Sequence, residues 1–342
     1  MKVKDISALI ESIAPPQFQE NYDNAGLIVG HPDDEISGVM LSLDVTEEVI
    51  DEAVRNNCNM ILAHHPIIFK GLKRLNGSNY VERTVISAIK KGVAIYAAHT
   101  NLDNVLMNGV NQKFASKLGL RSVKILQPKV GILSKIQVYV PVSHLDLVRE
   151  AMFAAGAGQI GNYSECGFEV EGLGSFKPGT EAEPFSGTIG VRENAQEIKF
   201  ETLVHNHLIN KVIKAMLSTH PYEEVAHEII GLSNEDPNTG SGVIGELETE
   251  LTEQDFLALL KDKLSLRSIR HTTTGGKIKK VALCGGSGSF LIGTARRAGA
   301  DAYVTGDIKY HEYFDAEKDL TLCDIGHYES EISTLEIFYD KI

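Results

Sequence analysis

Short apolar runs alternate with stretches of helical periodicity in the first third of the chain. Residues 38–43, 60–63 and 93–98 read as strands, and residues 46–56, 80–91 and 108–118 as helices. Gly92 and Gly119 stand where two of those helices should stop, because glycine accepts the left-handed backbone of a helix C-terminus. Continuously apolar strands separated by amphipathic helices predict parallel strands covered on both faces. The last third repeats this grammar, with strands at 280–284, 302–305 and 320–324, a helix at 290–298 and a terminal helix from residue 329. One sheet is expected to gather these strands.

The middle third follows a different rhythm. Residues 135–142 alternate as a strand, 144–155 are helical, 169–173 and 200–204 are short strands, 206–218 are helical and 225–230 form another strand. A β-α-β-β-α-β order predicts a ferredoxin-like domain. Polar, proline-bearing flanks set the expected boundaries: 1–127 and 234–342 as two halves of one domain, 128–233 as the insert. The expected class is therefore α/β, a discontinuous parallel-sheet domain interrupted by a ferredoxin-like α+β domain.

The length of 342 residues agrees with this organisation, at about 150 residues per domain. A formal net charge of −13 argues against nucleic acid as a partner, since that contact relies on Lys and Arg neutralising phosphates. The cysteines Cys58, Cys166, Cys284 and Cys323 form no CxxC pair, so reduced thiols in a cytoplasm are expected rather than a zinc ribbon or a disulfide scaffold. The N-terminal run carries no secretory pattern, and no stretch of roughly 18 apolar residues offers a membrane span. A cytoplasmic protein without a membrane partner is the expectation.

Metal-ligand side chains follow three of the apolar strands. His64-His65 follow the first, Asp103 lies beyond the second, and His327 with Glu331 follows the third. Open α/β sheets bind ligands at this carboxyl edge. His327 and Glu331 share a helix face at i and i+4 spacing. Three imidazoles and two carboxylates exceed one closed tetrahedral zinc site and suit two divalent ions, with Asp103 bridging them or binding one. Each residue also has a plain structural role open to it: a turn or N-cap for Asp103, a solvated helix face for Glu331. Gly285-Gly286-Ser287-Gly288-Ser289 reads as a tight strand-to-helix turn, with a phosphate cradle as the alternative. His311 is the first candidate proton donor and His99 the second.

These residues resemble a known family. Asn21-Tyr22-Asp23-Asn24-Ala25-Gly26-Leu27, Ala63-His64-His65-Pro66, His99-Thr100-Asn101-Leu102-Asp103, Gly286-Ser287-Gly288, Thr305-Gly306-Asp307 and Gly326-His327-Tyr328-Glu329-Ser330-Glu331 resemble the signatures of the dinuclear-metal GTP cyclohydrolase I type 2 homologues. The middle third resembles the PII/CutA-like insert of the long members, through His220-Pro221-Tyr222-Glu223-Glu224-Val225. Tyr22 stands where many relatives carry Trp.

The resemblance implies two divalent ions per subunit, zinc foremost with iron, manganese or cobalt as alternatives, held by His64, His65, Asp103, His327 and Glu331. It also implies a toroidal homohexamer with the metals facing an internal cavity. The implied activity is hydrolysis of a purine nucleotide: GTP would be attacked at C8, lose formate and become dihydroneopterin triphosphate. Two rivals remain open. One is a metal-binding regulatory or scaffold protein that senses an effector through its PII-like domain. The other keeps the metals and hydrolyses a phosphoester or an amide.

Overall fold

The computed structural model describes residues 1–342. It resolves into two compact units, Met1–Pro128 with Pro237–Ile342, and Lys129–Asp236. The chain begins with α1 (Val3–Ile13), where Val3, Ile6 and Ile10 recur at helical spacing and are buried. Then come β1 (Gly26–Val29), β2 (Val39–Ser42), α2 (Glu47–Arg55), β3 (Met60–Ala63), α3 (Tyr80–Lys91) and β4 (Ala94–Ala97). Thr46 and Asn79 cap α2 and α3 by accepting backbone N–H groups, and Gly92 ends α3 in the left-handed region at φ 63°. These four strands form one sheet in the order β1-β4-β3-β2. β2, β3 and β4 run parallel, and β1 pairs antiparallel with β4. Every residue of β3 and β4 is buried, as strands covered on both faces require. Two short helices, α4 (Thr100–Asp103) and α5 (Val110–Lys117), lead to β5 (Arg121–Val130).

The middle unit contains β6 (Leu133–Pro141), α6 (Leu145–Ala154), β7 (Gly167–Phe176), β8 (Glu193–His205), α7 (Ile209–Thr219) and β9 (His227–Leu232). Its antiparallel sheet has the order β7-β8-β6-β9. Ile136, Val138 and Val140 alternate inward along β6 and pack on Val148 and Met152 of α6 and Val212 and Met216 of α7.

The remainder carries β10 (Glu235–Thr252), α8 (Glu253–Leu264), β11 (Arg270–His271), β12 (Lys277–Ser287), α9 (Ile292–Arg297), β13 (Ala302–Gly306), β14 (Thr321–Asp324), α10 (His327–Glu331) and α11 (Thr334–Lys341). A second sheet follows the order β11-β14-β13-β12-β10-β5. β12, β13 and β14 are parallel, while β10 and β11 pair antiparallel with β12 and β14. The expected α/β class holds, but the strands divide between two sheets instead of joining one. Each outer third closes its own parallel triplet, and antiparallel strands extend it. The terminal helix is also two short helices rather than one. No helix is long and apolar enough to cross a membrane.

Candidate metal centre

Parallel pairing brings the ends of β3 and β4 to one edge, with Ala63 opposite Ala97. His64 and His65 continue the ladder past β3, donating their backbone N–H groups to Ser42 and Leu43 before Pro66 interrupts it. Asp103 closes the single turn of α4 just beyond β4. In the second sheet β14 ends at Asp324, and Gly326 at φ 95° turns the chain into α10. One helical turn then places Glu331 beside His327, with Oε2 3.1 Å from Nε2. The carboxyl edges of the two sheets face each other, and the five residues meet there.

Two ligand groups emerge. His65 Nε2, His327 Nε2 and Glu331 Oε2 form a triangle with edges of 2.9, 3.1 and 3.2 Å. Two donor atoms on one tetrahedral cation at about 2.0–2.1 Å stand roughly 3.3 Å apart, so this triangle has the size of a coordination face. The second group is His64 Nε2, Asp103 Oδ1 at 3.6 Å and Glu331 Oε1 at 3.5 Å. His64 Nε2 and Asp103 Oδ1 are buried without a hydrogen-bond partner, a costly state that a cation would relieve. Glu331, not Asp103, is the carboxylate common to both groups. Each group could hold a metal ion.

Each imidazole is held through its Nδ1. His64 Nδ1 donates to the Ala98 carbonyl at 2.8 Å, His65 Nδ1 to Asp44 at 2.9 Å, His99 Nδ1 to Asp23 at 2.8 Å and His327 Nδ1 to Asp307 at 2.7 Å. Only an Nδ1–H can serve such acceptors, so each Nε2 is left to face the centre. Asp44 follows β2 and Asp307 follows β13, the strands adjoining β3 and β14. Asp23 precedes β1, whose antiparallel run begins at the same edge, with Gly26 opposite Ala97. Sequence reading missed all three carboxylates as orienting groups. The signal lay in the strands next to the ligand-bearing ones. Replacing Asp44 or Asp307 by Asn is expected to weaken metal binding by about 10- to 100-fold, measured by competition with a chromophoric chelator.

Charge is balanced by mutual neutralisation. Burial opposes a charge on His64, but Asp103 and Glu331 override it and raise the imidazole pKa to about 9. The hydrogen bond that His327 donates to Glu331 raises its imidazole to about 9 against the opposing effect of burial. Burial raises Asp103 to about 6, with His64 pulling the other way. Burial also acts to raise Glu331, yet His64, His327 and His65 hold it well below the usual carboxylate range. Burial likewise disfavours charge on Asp23, but hydrogen bonds from His99 and Thr100 lower it to about 2.

His99 joins this cluster, its ring centroid 5.3 Å from that of His64 and 5.5 Å from that of His65. His311 does not. Its ring lies on the exposed turn Tyr310–Ala316, against Tyr310 and Phe314. The chain leaves β13 through Asp307, at φ 56°, and it is Asp307 that faces the centre while the following turn carries His311 outward.

The expected tight turn starts later than its pattern suggests: Gly285, Gly286 and Ser287 extend β12, and the chain turns from Gly288 toward α9. Three amides of the glycine-rich segment are already engaged: Gly285 donates to Asn111, Gly286 to Ser330 and Gly288 to Thr305. A Cβ on Gly286, which has φ +64°, would lie 2.3 Å from Glu331 Oε1. Gly286→Ala is thus expected to displace the shared carboxylate and lower metal content, while left-handed strain costs about 1–2 kcal/mol of stability. Elemental analysis beside a thermal melt checks both.

A cavity of about 570 Å³ opens over the cluster, with Tyr22, Phe69, Phe290 and Tyr328 in its wall. A family model described as Duf34/NIF3 (NGG1p interacting factor 3) matches residues 1–342. The chain belongs to the DUF34/NIF3 family. A Bacillus subtilis (strain 168) relative named GTP cyclohydrolase 1 type 2 homolog is 41% identical over 332 residues, covering 96% of this chain and 89% of that one. A Halalkalibacterium halodurans relative of the same name is 42% identical over 322 residues, covering 93% and 86%. Among solved structures, a Bacillus cereus protein related to NIF3 superposes with a TM-score of 0.87 at 38% identity, covering 100% of this chain and 93% of that one. Staphylococcus aureus protein SA1388 gives 0.76 at 31% identity, covering 99% and 93%. This DUF34/NIF3 member thus shares its fold with relatives over nearly the full length of each.

Proposed function

We propose that this chain is a divalent-metal-dependent hydrolase with a two-cation site, acting on a purine nucleotide, with GTP as the first candidate. The observation that carries the reading is Glu331, whose two oxygens face two separate ligand groups. His65, His327 and Glu331 would hold one cation, and His64, Asp103 and Glu331 the other. Their mixed N/O character suits zinc, iron, manganese or cobalt. When bound, the cations supply an acidified water and neutralise substrate charge.

The chain's own residues do the rest. Asp23 fixes the His99 tautomer, so that Nε2 can accept or return a proton beside the cluster. Phe69, Phe290 and Tyr328 offer flat apolar surface to a planar base. Neither Lys nor Arg lines the cavity, which leaves phosphate charge to the cations.

The names of the relatives point to GTP. GTP and water would give formate and dihydroneopterin triphosphate. Protein with verified metal content, incubated with GTP, should release formate and yield a fluorescent pterin on oxidation, and His65→Ala should abolish both. If the fully loaded wild type makes neither, GTP is the wrong substrate, and a panel of phosphoesters and amides takes its place. We also propose a cytoplasmic homohexamer, with the middle unit as a PII/CutA-like insert. A light-scattering mass six times that of the chain tests the assembly.

A further inference from the structure

The middle unit has a cavity of its own, of about 380 Å³. Phe176 at the end of β7, Phe185 from the segment between β7 and β8, and Tyr222 after α7 wall it. The rings of Phe176 and Phe185 lie 6.1 and 6.0 Å from that of Tyr222, each tilted rather than stacked. The Glu223 carboxylate accepts the Glu183 backbone N–H and ties down the wall that carries Phe185.

Glu197 on β8 opens into this space and is only 9% exposed. Its carboxylate accepts a hydrogen bond from Tyr222 Oη at 2.8 Å and pairs with no Lys, Arg or His. His220 cannot serve as the counter-ion. Its Nε2–H donates to the Tyr139 carbonyl and its Nδ1 accepts the Tyr222 N–H, which makes it a neutral imidazole. The fold also makes room for the carboxylate: a Cβ on Gly174, across the cavity wall, would lie 2.0 Å from Glu197 Oε2. Buried charges are ordinarily paired. This one has no cation within the chain, and it faces aromatic rings.

We propose that this cavity binds a small organic ammonium ion, its charge on Glu197 and its carbon body against Phe176, Phe185 and Tyr222. Aromatic faces attract such cations through their quadrupoles. The alternatives fit less well. An anionic effector would meet Glu197, Glu223 and Glu224 with no Lys or Arg in the wall. A metal ion would find one open carboxylate among apolar rings, far short of the oxygen ligands that Ca²⁺ or Mg²⁺ needs. The site is independent of the hydrolase reading and stands or falls without it.

Calorimetric titration of the full-length, metal-loaded protein tests the proposal. Choline is the probe and 3,3-dimethylbutan-1-ol its neutral isostere. Choline and the alcohol share the hydroxyl that could reach a metal, so the preference between them reports on the ammonium charge alone. Saturable choline binding at least tenfold tighter than that of the alcohol is expected. Glu197→Gln should erase that preference, while Glu171→Gln, on the exposed part of β7, should leave it intact. Phe185→Ala, a half-exposed loop change, should weaken choline several-fold even if the Glu197 variant does not fold. No saturable choline binding, equal binding of the alcohol, or full preference in folded Glu197→Gln would each overturn the assignment.

Discussion

Replacing Glu331 by glutamine is expected to remove both cations, whereas His327→Ala and Asp103→Asn should each remove one. Glu331 is only 2% exposed, and its oxygens divide between the two ligand groups, Oε1 toward His64 and Oε2 toward His65 and His327. The amide is nearly the same shape, but it exchanges one ligand oxygen for an NH₂ that only donates, and it removes the charge that offsets the imidazoles. Elemental analysis after loading and gel filtration should read about two ions per chain in the wild type, about one in the single-group variants and close to none in Glu331→Gln. Hydrolytic turnover should fall by at least about a hundredfold. The metal-free variant should still fold at neutral pH, because His64 can shed the proton that Glu331 and Asp103 now retain. Two ions retained in Glu331→Gln would end the idea of a shared carboxylate.

Much of this centre is legible in the sequence. Met60–Ala63 and Tyr80–Lys91 fall where their patterns place them, because a continuously apolar run and a glycine-stopped amphipathic run are local properties. The five ligand candidates were legible for the same reason, as they follow strand ends whose position the pattern marks. Pairing is not local. Nothing in an apolar tetrapeptide states which sheet receives it, so two sheets were read as one. β10 was missed because its Asp-Pro-Asn-Thr-Gly-Ser-Gly start has linker composition, although the strand is held by pairing with β12. Asp23, Asp44 and Asp307 required knowing which strands are neighbours. His311 lies away from the centre because its orientation depends on a turn after β13, not on a period. The glycine-rich turn could be read only from the partners of its amides, and those come from α5, α10 and β13.

Acidity should act on this centre in two opposite directions. Without metal, His64 and His327 keep their protons up to about pH 9, and a ligating imidazole must be neutral. Each unit of pH below 9 therefore costs a factor of ten per imidazole, so loading of the pair of sites should weaken about a hundredfold per unit between pH 9 and 6. Below about pH 6, protonation of Asp103 adds a third factor. Calorimetry in buffers of different ionisation enthalpy should count about two protons released per chain near neutrality. The same shifts give the metal-free fold the reverse slope. An imidazole whose folded pKa exceeds its unfolded value of about 6.5 contributes stability in full below that value and loses it as pH rises through 9. Melting temperature should therefore decline from pH 6.5 to 9 for the chelated protein and climb over the same range for the loaded one. Parallel slopes would mean that these imidazoles do not exchange protons for metal.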